Sequence, residues 1–233
     1  RYNRVQVPRV CDLMSNNISP GQPAPELQVQ HWVQGEPTSI EQLRGDVILV
    51  EVFQVNCPGC FVHALPEVVR LHRAYSQHGL AVIGLATAFE DFDKNTLDNL
   101  KMLVETGEMI GDPLDQLGRN GLLNGNRLDY ELPFTIGMDV LTENTSEITH
   151  EAIETFILSQ LPDYANWPAE RRQPVYEKAH NYLRAKTHCA QTFETYNLQG
   201  TPSSILIDRE GMLRDVSFGW NNHLEPLILD LLK

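Results

Sequence analysis

The chain has 233 residues, of which 42% are hydrophobic and 21% are charged, and its formal net charge is −13. This composition is ordinary for a globular protein, and the length suits one large domain or a small domain with an insertion. The negative charge argues against nucleic acid or an anionic membrane as a partner, because both bind through basic patches. No stretch approaches about eighteen consecutive apolar residues, so no membrane span is expected.

The start of the chain predicts a compartment. Residues 1–13 lack the apolar core of a secretory signal peptide. Met14 and the residues after it are typical of a natural initiation site, which would make the first thirteen residues an upstream extension and the protein cytoplasmic. Residues 1–24 together are predicted to form an N-terminal extension before the folded domain. The alternative is an exported protein whose signal peptide was removed before Arg1. Four cysteines are too few for a disulfide-stapled secreted scaffold.

The first half of the chain predicts strands alternating with helices. In chain order these are an edge strand over Glu26–Trp32, a helical turn over Thr38–Leu43, a buried strand over Val47–Phe53, a helix over residues 58–78, a buried strand over Leu80–Leu85 and a helix over Thr96–Met109. Gly79 is placed to end the first long helix. Glu108–Glu131 is glycine-rich and polar, which predicts an irregular loop.

The second half adds strands, helices and a late hairpin. The predicted elements are a strand over Leu132–Val140, a helix over Glu151–Leu161 followed by a break over Pro162–Pro168, a helix from Pro174 to about Asn197, strands over Ser203–Asp208 and Met212–Phe218, and a closing helix over Leu224–Leu232. Strands that alternate with helices indicate an α/β fold. The late hairpin makes its sheet mixed.

The motif that carries chemistry is Cys57-Pro58-Gly59-Cys60, which follows the buried strand at a strand-to-helix turn. Cys57 would lie at the helix N-terminus, where free backbone N–H groups and the helix dipole favour a thiolate. Pro58 at the first helical position costs no hydrogen bond. Cys60, one turn inside the helix, would be the buried resolving thiol. The pair is therefore a candidate dithiol/disulfide switch.

Two further features accompany the cysteines. Glu51 is a single acid inside the apolar strand, and a buried carboxylate there would serve as the base that activates Cys60. In the alternative, Glu51 points to solvent from a one-sided strand. Gly200-Thr201-Pro202 precedes the Ser203–Asp208 strand. If the Thr201–Pro202 bond is cis, it would bring the Thr201 backbone beside the disulfide.

Together these elements resemble the thioredoxin-like superfamily. Within it the chain is most similar to the redoxin branch, with its TlpA/ResA-type reductases and alkyl hydroperoxide reductase/thiol-specific antioxidant proteins. The matching parts are Pro23-Ala24-Pro25, Val47–Phe53 leading into the CxxC motif, Leu80–Leu85, Leu132–Asp139 and Tyr196–Phe218. The resemblance covers roughly residues 20–140 and 190–233. It implies a thioredoxin-like α/β domain over residues 25–233, with a central mixed sheet flanked by helices and a helical insertion at about 141–190.

The resemblance also implies site residues. Thr201-Pro202 corresponds to the cis-proline loop beside Cys57, and Glu51 falls where thioredoxins carry their buried acid. Gly219 falls at the substrate-groove glycine, with Trp220 lining the groove. The chain departs from thioredoxin in having Asn56 before the first cysteine, Pro-Gly between the cysteines, and a helix proline, Pro66, one residue later than usual.

The leading hypothesis is a thiol–disulfide oxidoreductase that reduces disulfides of proteins or small molecules. Cys57 would attack, Cys60 would resolve the mixed disulfide and Glu51 would assist. A thioredoxin reductase-like or glutathione-like partner would recharge the pair, and no cofactor is expected. One alternative is a peroxiredoxin-like peroxidase, although Gln54 stands where that family has threonine. The other is a thioredoxin-fold binding or adaptor module.

The remaining candidates have structural interpretations. Cys189 fits an apolar stripe of the predicted long helix, as a small buried hydrophobe, and Cys11 falls in the extension. His63 shares a helix face with Cys60, either tuning the thiols or simply lying at the surface. Cys57, Cys60 and His63 lack a fourth nearby ligand, so no metal site is predicted. The insertion would cap the active-site groove, form a dimer face or pack on the sheet.

Overall fold

A computed structural model describes residues 18–145, 147–220 and 223–233. The proposed initiation site at Met14 and the cysteine at position 11 lie outside the described residues, as does most of the predicted N-terminal extension. Its last residues run beside the late hairpin: Pro23 bridges Met212, and the Ala24 N–H donates to the Gly211 carbonyl at 2.9 Å.

Within the described ranges, ten strands form one large sheet and two small ones. They are β1 (Val29–Gln34), β2 (Val47–Phe53), β3 (Leu80–Ala86), β4 (Leu123–Asn124), β5 (Arg127–Leu128), β6 (Thr135–Asp139), β7 (Leu141–Glu143), β8 (His188–Ala190), β9 (Ser203–Ile207) and β10 (Leu213–Phe218). The large sheet has the order β1-β6-β3-β2-β9-β10. Strands β2, β3 and β6 run parallel, while β1, β9 and β10 pair antiparallel with their neighbours. The predicted mixed sheet is confirmed.

Seven α-helices accompany the strands in the described residues. They are α1 (Leu65–Tyr75), α2 (Leu97–Thr106), α3 (Gly111–Arg119), α4 (His150–Gln160), α5 (Ala169–Ala185), α6 (Gln191–Thr195) and α7 (Leu224–Leu231). The predicted 38–43 helical turn is a hydrogen-bonded turn without a helix. Most other predicted elements lie within a few residues of the observed ones.

Strand β2 is the centre of the molecule because all seven of its residues are buried. Leu49 and Phe53 point into an apolar cluster under α1 and α7, while Ile48 and Val50 point into a second cluster on the opposite face. Both faces of the sheet are thus covered, which explains the continuous apolar run in the sequence. The carboxyl ends of β2, β3 and β6 meet at one edge of the sheet, where ligands commonly bind in such folds.

The irregular loop expected over Glu108–Glu131 is wrong in part, because the segment contains α3 and the β4–β5 hairpin. Pro113 and Leu117 of α3 are buried against the core. Glycines flank these apolar positions and hide their helical spacing. Gly111 adopts a φ of +57°, which an L-residue rarely tolerates, and this conformation starts the helix in a polar, glycine-rich context.

The long helix expected from Pro174 to Asn197 is also wrong. Helix α5 begins at Ala169 and ends at Ala185, with Pro174 inside it. Residues 188–190 form β8, so Cys189 is a buried strand residue and not a helix residue. The pairing of β8 with β7 required a distant partner that local periodicity could not reveal.

In chain order, helices α4 and α5 come between β7 and β8, and they form an apolar cluster of their own. Its buried members are Ile153, Ile157, Tyr164 and Ala179. The helices therefore pack mainly on each other, and the β7–β8 pair joins them to the rest of the chain.

The helix after the cysteines begins with an unusual turn. Residues Cys60–Ala64 are π-helical, and the Leu65 N–H donates to the Cys60 carbonyl. The next residue, Pro66, has no N–H to give, which leaves the Phe61 carbonyl without its partner in the same hydrogen-bond pattern. The Tyr130 hydroxyl donates to that carbonyl at 2.9 Å. A side chain from the segment predicted to be loop thus replaces the missing backbone donor.

We expect Tyr130→Phe to lower the free energy of unfolding by about 1 kcal/mol, the usual contribution of one hydrogen bond. In a Pro66→Ala background the cost should shrink, because the new backbone N–H can donate within the helix. A double-mutant cycle measured by urea denaturation tests this. An equal cost of Tyr130→Phe in both backgrounds would contradict the explanation.

Candidate active site

The structure joins Cys57 and Cys60 in a disulfide whose Cα atoms lie 5.4 Å apart. The bridge lies just beyond β2, where the chain turns into the helix. Cys60 is fully buried in the core, whereas Cys57 is partly exposed. Cys57 is therefore the more accessible of the two cysteines.

The backbone around the cysteines favours negative charge on Cys57. Pro58 and Gly59 are already helical, and the Cys60 N–H points at Cys57 Sγ from 3.3 Å. In the reduced protein this N–H and the positive end of the helix would stabilise a thiolate at Cys57. Because Cys57 is also the more accessible of the two cysteines, it is the better placed nucleophile.

The loop before β9 lies directly against the disulfide. The Thr201–Pro202 peptide bond is cis, and the Thr201 carbonyl oxygen lies 3.5 Å from Cys57 Sγ. The hypothetical Cβ of Gly59 would lie 3.9 Å from Pro202 Cδ, so the loop and the CxxC turn are in contact. The Pro202 carbonyl accepts the Gly219 N–H at 2.8 Å, which links the loop to the end of β10.

Glu51 is fully buried on the cysteine side of the sheet. It lies two residues from both Leu49 and Phe53 and so shares their face of the strand, and those two side chains belong to one cluster with Cys60. Ser204 Oγ donates to Glu51 Oε2 at 2.7 Å, and no partner is found for Oε1 among the described residues. Burial raises the pKa of Glu51 from 4.5 to about 8, with the Ser204 hydrogen bond opposing the rise. A carboxyl with this pKa can exchange a proton near neutral pH.

Gln54 has a positioning role that sequence reasoning missed. This buried side chain accepts a hydrogen bond from Thr201 Oγ1 at 3.1 Å and donates to the Glu90 carbonyl at 3.2 Å. It therefore ties the loop beside Cys57 to the segment after β3. Its place directly after seven buried strand residues is the signal available in the sequence, because a polar side chain there needs partners.

Asn56, the residue before Cys57, is held in place by three hydrogen bonds. Its backbone N–H donates to Asn95 Oδ1 at 2.8 Å, its Nδ2 donates to Asp91 Oδ2 at 2.7 Å, and its Oδ1 accepts the Asp112 N–H at 2.9 Å. Gly111 leaves the space for this amide, since a Cβ at that glycine would lie 2.1 Å from Asn56 Oδ1. Where thioredoxin has tryptophan, this chain thus has a polar anchor for the turn.

Exposed aromatic side chains lie beside the Thr201–Pro202 loop and the helix that follows the cysteines. Phe218 is 60% exposed and Trp220 is 54% exposed, both unusually high for large apolar residues. The Phe218 ring lies over Gly200, next to Thr201, and a Cβ on that glycine would lie 2.6 Å from Phe218 Cε2. The Trp220 ring lies 5.7 Å from the ring of His63, which is exposed on the cysteine helix. Of these, sequence reasoning missed Phe218.

The described residues contain no cluster of three or more histidine, cysteine, aspartate or glutamate side chains arranged to hold a metal ion. None of the helices within those same ranges is long and apolar enough to cross a membrane.

Comparison with known proteins gives a relative across most of the chain. The chain is 34% identical over 186 residues to the protein FixW from Rhizobium leguminosarum, a match that covers 77% of this chain and 81% of FixW. No protein-family model matches the sequence.

Solved structures show the same architecture. A thiol-disulfide isomerase from Corynebacterium glutamicum superposes with a TM-score of 0.57 at 29% identity, over 91% of this chain and 97% of that one. A thioredoxin-like superfamily protein superposes with a TM-score of 0.55 at 25% identity, with the same two coverages, 91% and 97%.

Proposed function

This chain belongs to the thioredoxin-like superfamily, in its redoxin branch, and we propose that it uses the Cys57–Cys60 pair to reduce disulfides in proteins or small molecules. It is an oxidoreductase with a thioredoxin-like redox role. The proposal rests above all on the bonded pair itself, with an exposed sulfur at Cys57 and a buried one at Cys60.

The proposed reaction has two steps. The Cys57 thiolate attacks a substrate disulfide, forms a mixed disulfide and expels one substrate thiolate. Cys60 then loses its proton to Glu51 and attacks Cys57 Sγ, which forms the intramolecular disulfide and expels the second substrate thiolate. The substrate gains two electrons and the enzyme dithiol loses them. A thioredoxin reductase-like or glutathione-like donor returns the pair to the dithiol.

The substrate would lie along the loop beside Cys57. We assign substrate binding to Thr201 and Pro202, whose backbone lies at the exposed sulfur, and to Gly219 and Trp220 at the end of β10. The exposed indole offers apolar contact to a polypeptide or an organic disulfide. Gln54 argues against the peroxidase alternative, because its side chain accepts a hydrogen bond from Thr201 and donates one to the Glu90 carbonyl.

A redox titration tests the proposal. The purified protein is equilibrated in dithiothreitol buffers, its thiols are alkylated, and the peptide containing Cys57 and Cys60 is quantified by mass spectrometry. We expect a single two-electron transition. A potential of about −270 mV would fit a reductase, as in the reducing cytoplasm. A potential of about −120 mV would fit an oxidant in an exported protein. If no disulfide forms in any buffer, the proposal fails and a binding or adaptor role takes its place.

A further inference from the structure

The partner of the buried acid lies on the strand that continues from the substrate loop. Ser204 is two residues beyond Pro202 in the chain and directly opposite Glu51 in the β2–β9 pairing. Both side chains are buried, and the Ser204 hydroxyl donates to Glu51 Oε2 at 2.7 Å. The other carboxylate oxygen, Oε1, has no partner among the described residues.

One oxygen of the Glu51 carboxylate is therefore held by a hydrogen bond, and the other is available to accept a proton. Building on the two-step reaction proposed above, we propose that Ser204 is a positioning residue for proton transfer, holding Glu51 Oε2 so that Oε1 receives the Cys60 proton. The transfer converts the Cys60 thiol and the Glu51 carboxylate into a thiolate and a carboxylic acid. The thiolate then attacks Cys57 Sγ, and the departing substrate thiolate takes up a proton from solvent.

Ser204 is the polar neighbour of Glu51 that favours its charged form. On β3 the residue paired with Glu51 is Gly84, which has no side chain. The cysteine helix brings Cys60 and apolar residues to this face. Among the described residues, burial and the Ser204 hydrogen bond are the influences that shift the Glu51 pKa, and they act in opposite directions. Loss of the hydroxyl therefore disfavours the carboxylate that the reaction needs.

The two thiol steps can be followed separately with an aromatic disulfide that releases a coloured thiolate. Attack by Cys57 releases the first equivalent, and resolution by Cys60 releases the second. In Ser204→Ala we expect the first phase to be unchanged and the second to slow about tenfold at neutral pH, because hydrogen bonds to charged groups contribute at least that factor. The rate of the second phase should recover at higher pH, where the carboxylate forms again.

Two variants separate positioning from structure. Ser204→Thr retains the hydroxyl and suits a strand, so the second phase should keep the wild-type pH profile. Ser217→Ala removes a buried hydroxyl on the adjacent strand β10 that has no hydrogen-bond partner among the described residues, and it should leave both phases unchanged.

The outcomes distinguish this inference from the proposed function. If Ser204→Ala leaves the pH profile of the second phase unchanged, or slows both phases equally, the role of Ser204 is refuted while the two-thiol reaction stands. If wild-type protein shows no second phase that depends on Cys60, the proposed function itself fails.

Discussion

Replacing Cys57 by serine should abolish turnover, whereas replacing Cys60 by serine should trap the substrate on the enzyme. The asymmetry follows from the two environments, because the exposed Cys57 sulfur can reach a substrate disulfide and the buried Cys60 sulfur can reach only Cys57. A serine hydroxyl cannot replace the thiolate as nucleophile under these conditions. In Cys60→Ser the first step still occurs, and the mixed disulfide persists.

Non-reducing electrophoresis and intact-mass measurement after incubation with an oxidised protein substrate give the readout. Each variant serves as the control for the other, since both remove one thiol and prevent the same disulfide. The thermal midpoint of each variant, compared with that of reduced wild-type protein, checks folding. Normal turnover by Cys60→Ser would exclude the two-thiol mechanism, and adducts of equal yield in Cys57→Ser would reverse the roles of the two cysteines.

Replacing Glu51 by glutamine should stabilise the oxidised protein at alkaline pH while slowing the resolution step. The pKa of Glu51 is about 8 in the folded protein against an ordinary value of 4.5, so the folded state binds the proton more tightly than the unfolded state does. Stability is therefore full below about pH 4.5, falls as the pH rises, and reaches its lower level above about pH 8. Each pH unit between the two values corresponds to about 1.4 kcal/mol, and the loss is about 5 kcal/mol.

Glutamine has no charge to bury, so the variant escapes this loss. The difference in unfolding free energy between Glu51→Gln and wild type should grow in favour of the variant by about 4 kcal/mol between pH 4.5 and pH 8. Urea denaturation of the oxidised proteins across this range measures it. Asp139, a second buried carboxyl whose pKa burial raises to about 6, is present in both proteins and cancels from the comparison.

The exposed carboxyl of Glu36 provides the matched control, because Glu36→Gln makes the same chemical change in solvent. A stability difference that grows with pH in Glu51→Gln and not in Glu36→Gln is the effect of burying the carboxyl. On the kinetic side, loss of a general base typically slows a step by about 10²-fold or more. A Glu51→Gln variant with an unchanged second phase would show that Cys60 loses its proton elsewhere, and a flat stability difference would show that Glu51 titrates normally in the fold.

Local sequence signals were sufficient for much of the fold. The run Val47–Phe53, which is apolar except for Glu51, predicted a buried strand with its observed bounds, and the mixed α/β class is confirmed. The membership in the thioredoxin-like superfamily is likewise confirmed by the relative and the solved structures. Errors came where a local signal was ambiguous. Pro174 is compatible with a helix start, yet α5 already begins at Ala169 and includes Pro174, and the α5 residues that pack against α4 come after the proline.

The polar contacts of the site were less accessible to sequence reasoning. Gln54 and Asn56 were noted as departures from family patterns, but their partners are 35 to 147 positions away in the chain. The spacing between such residues carries no information about contact. Tyr130 illustrates the same limit, because the carbonyl that needs it is freed by Pro66 in a different element.

The sequence by itself determined the chemistry and the class of fold: two cysteines at a strand-to-helix turn, one acid in an apolar strand, and strands alternating with helices. These depend on residue type and short-range periodicity, which are properties of the chain before it folds. The tertiary structure decided which oxygen of Glu51 is held and which is available, and which loops fix the CxxC turn. Those outcomes depend on strand register and on hydrogen bonds between distant segments, and only the packed sheet brings such segments together.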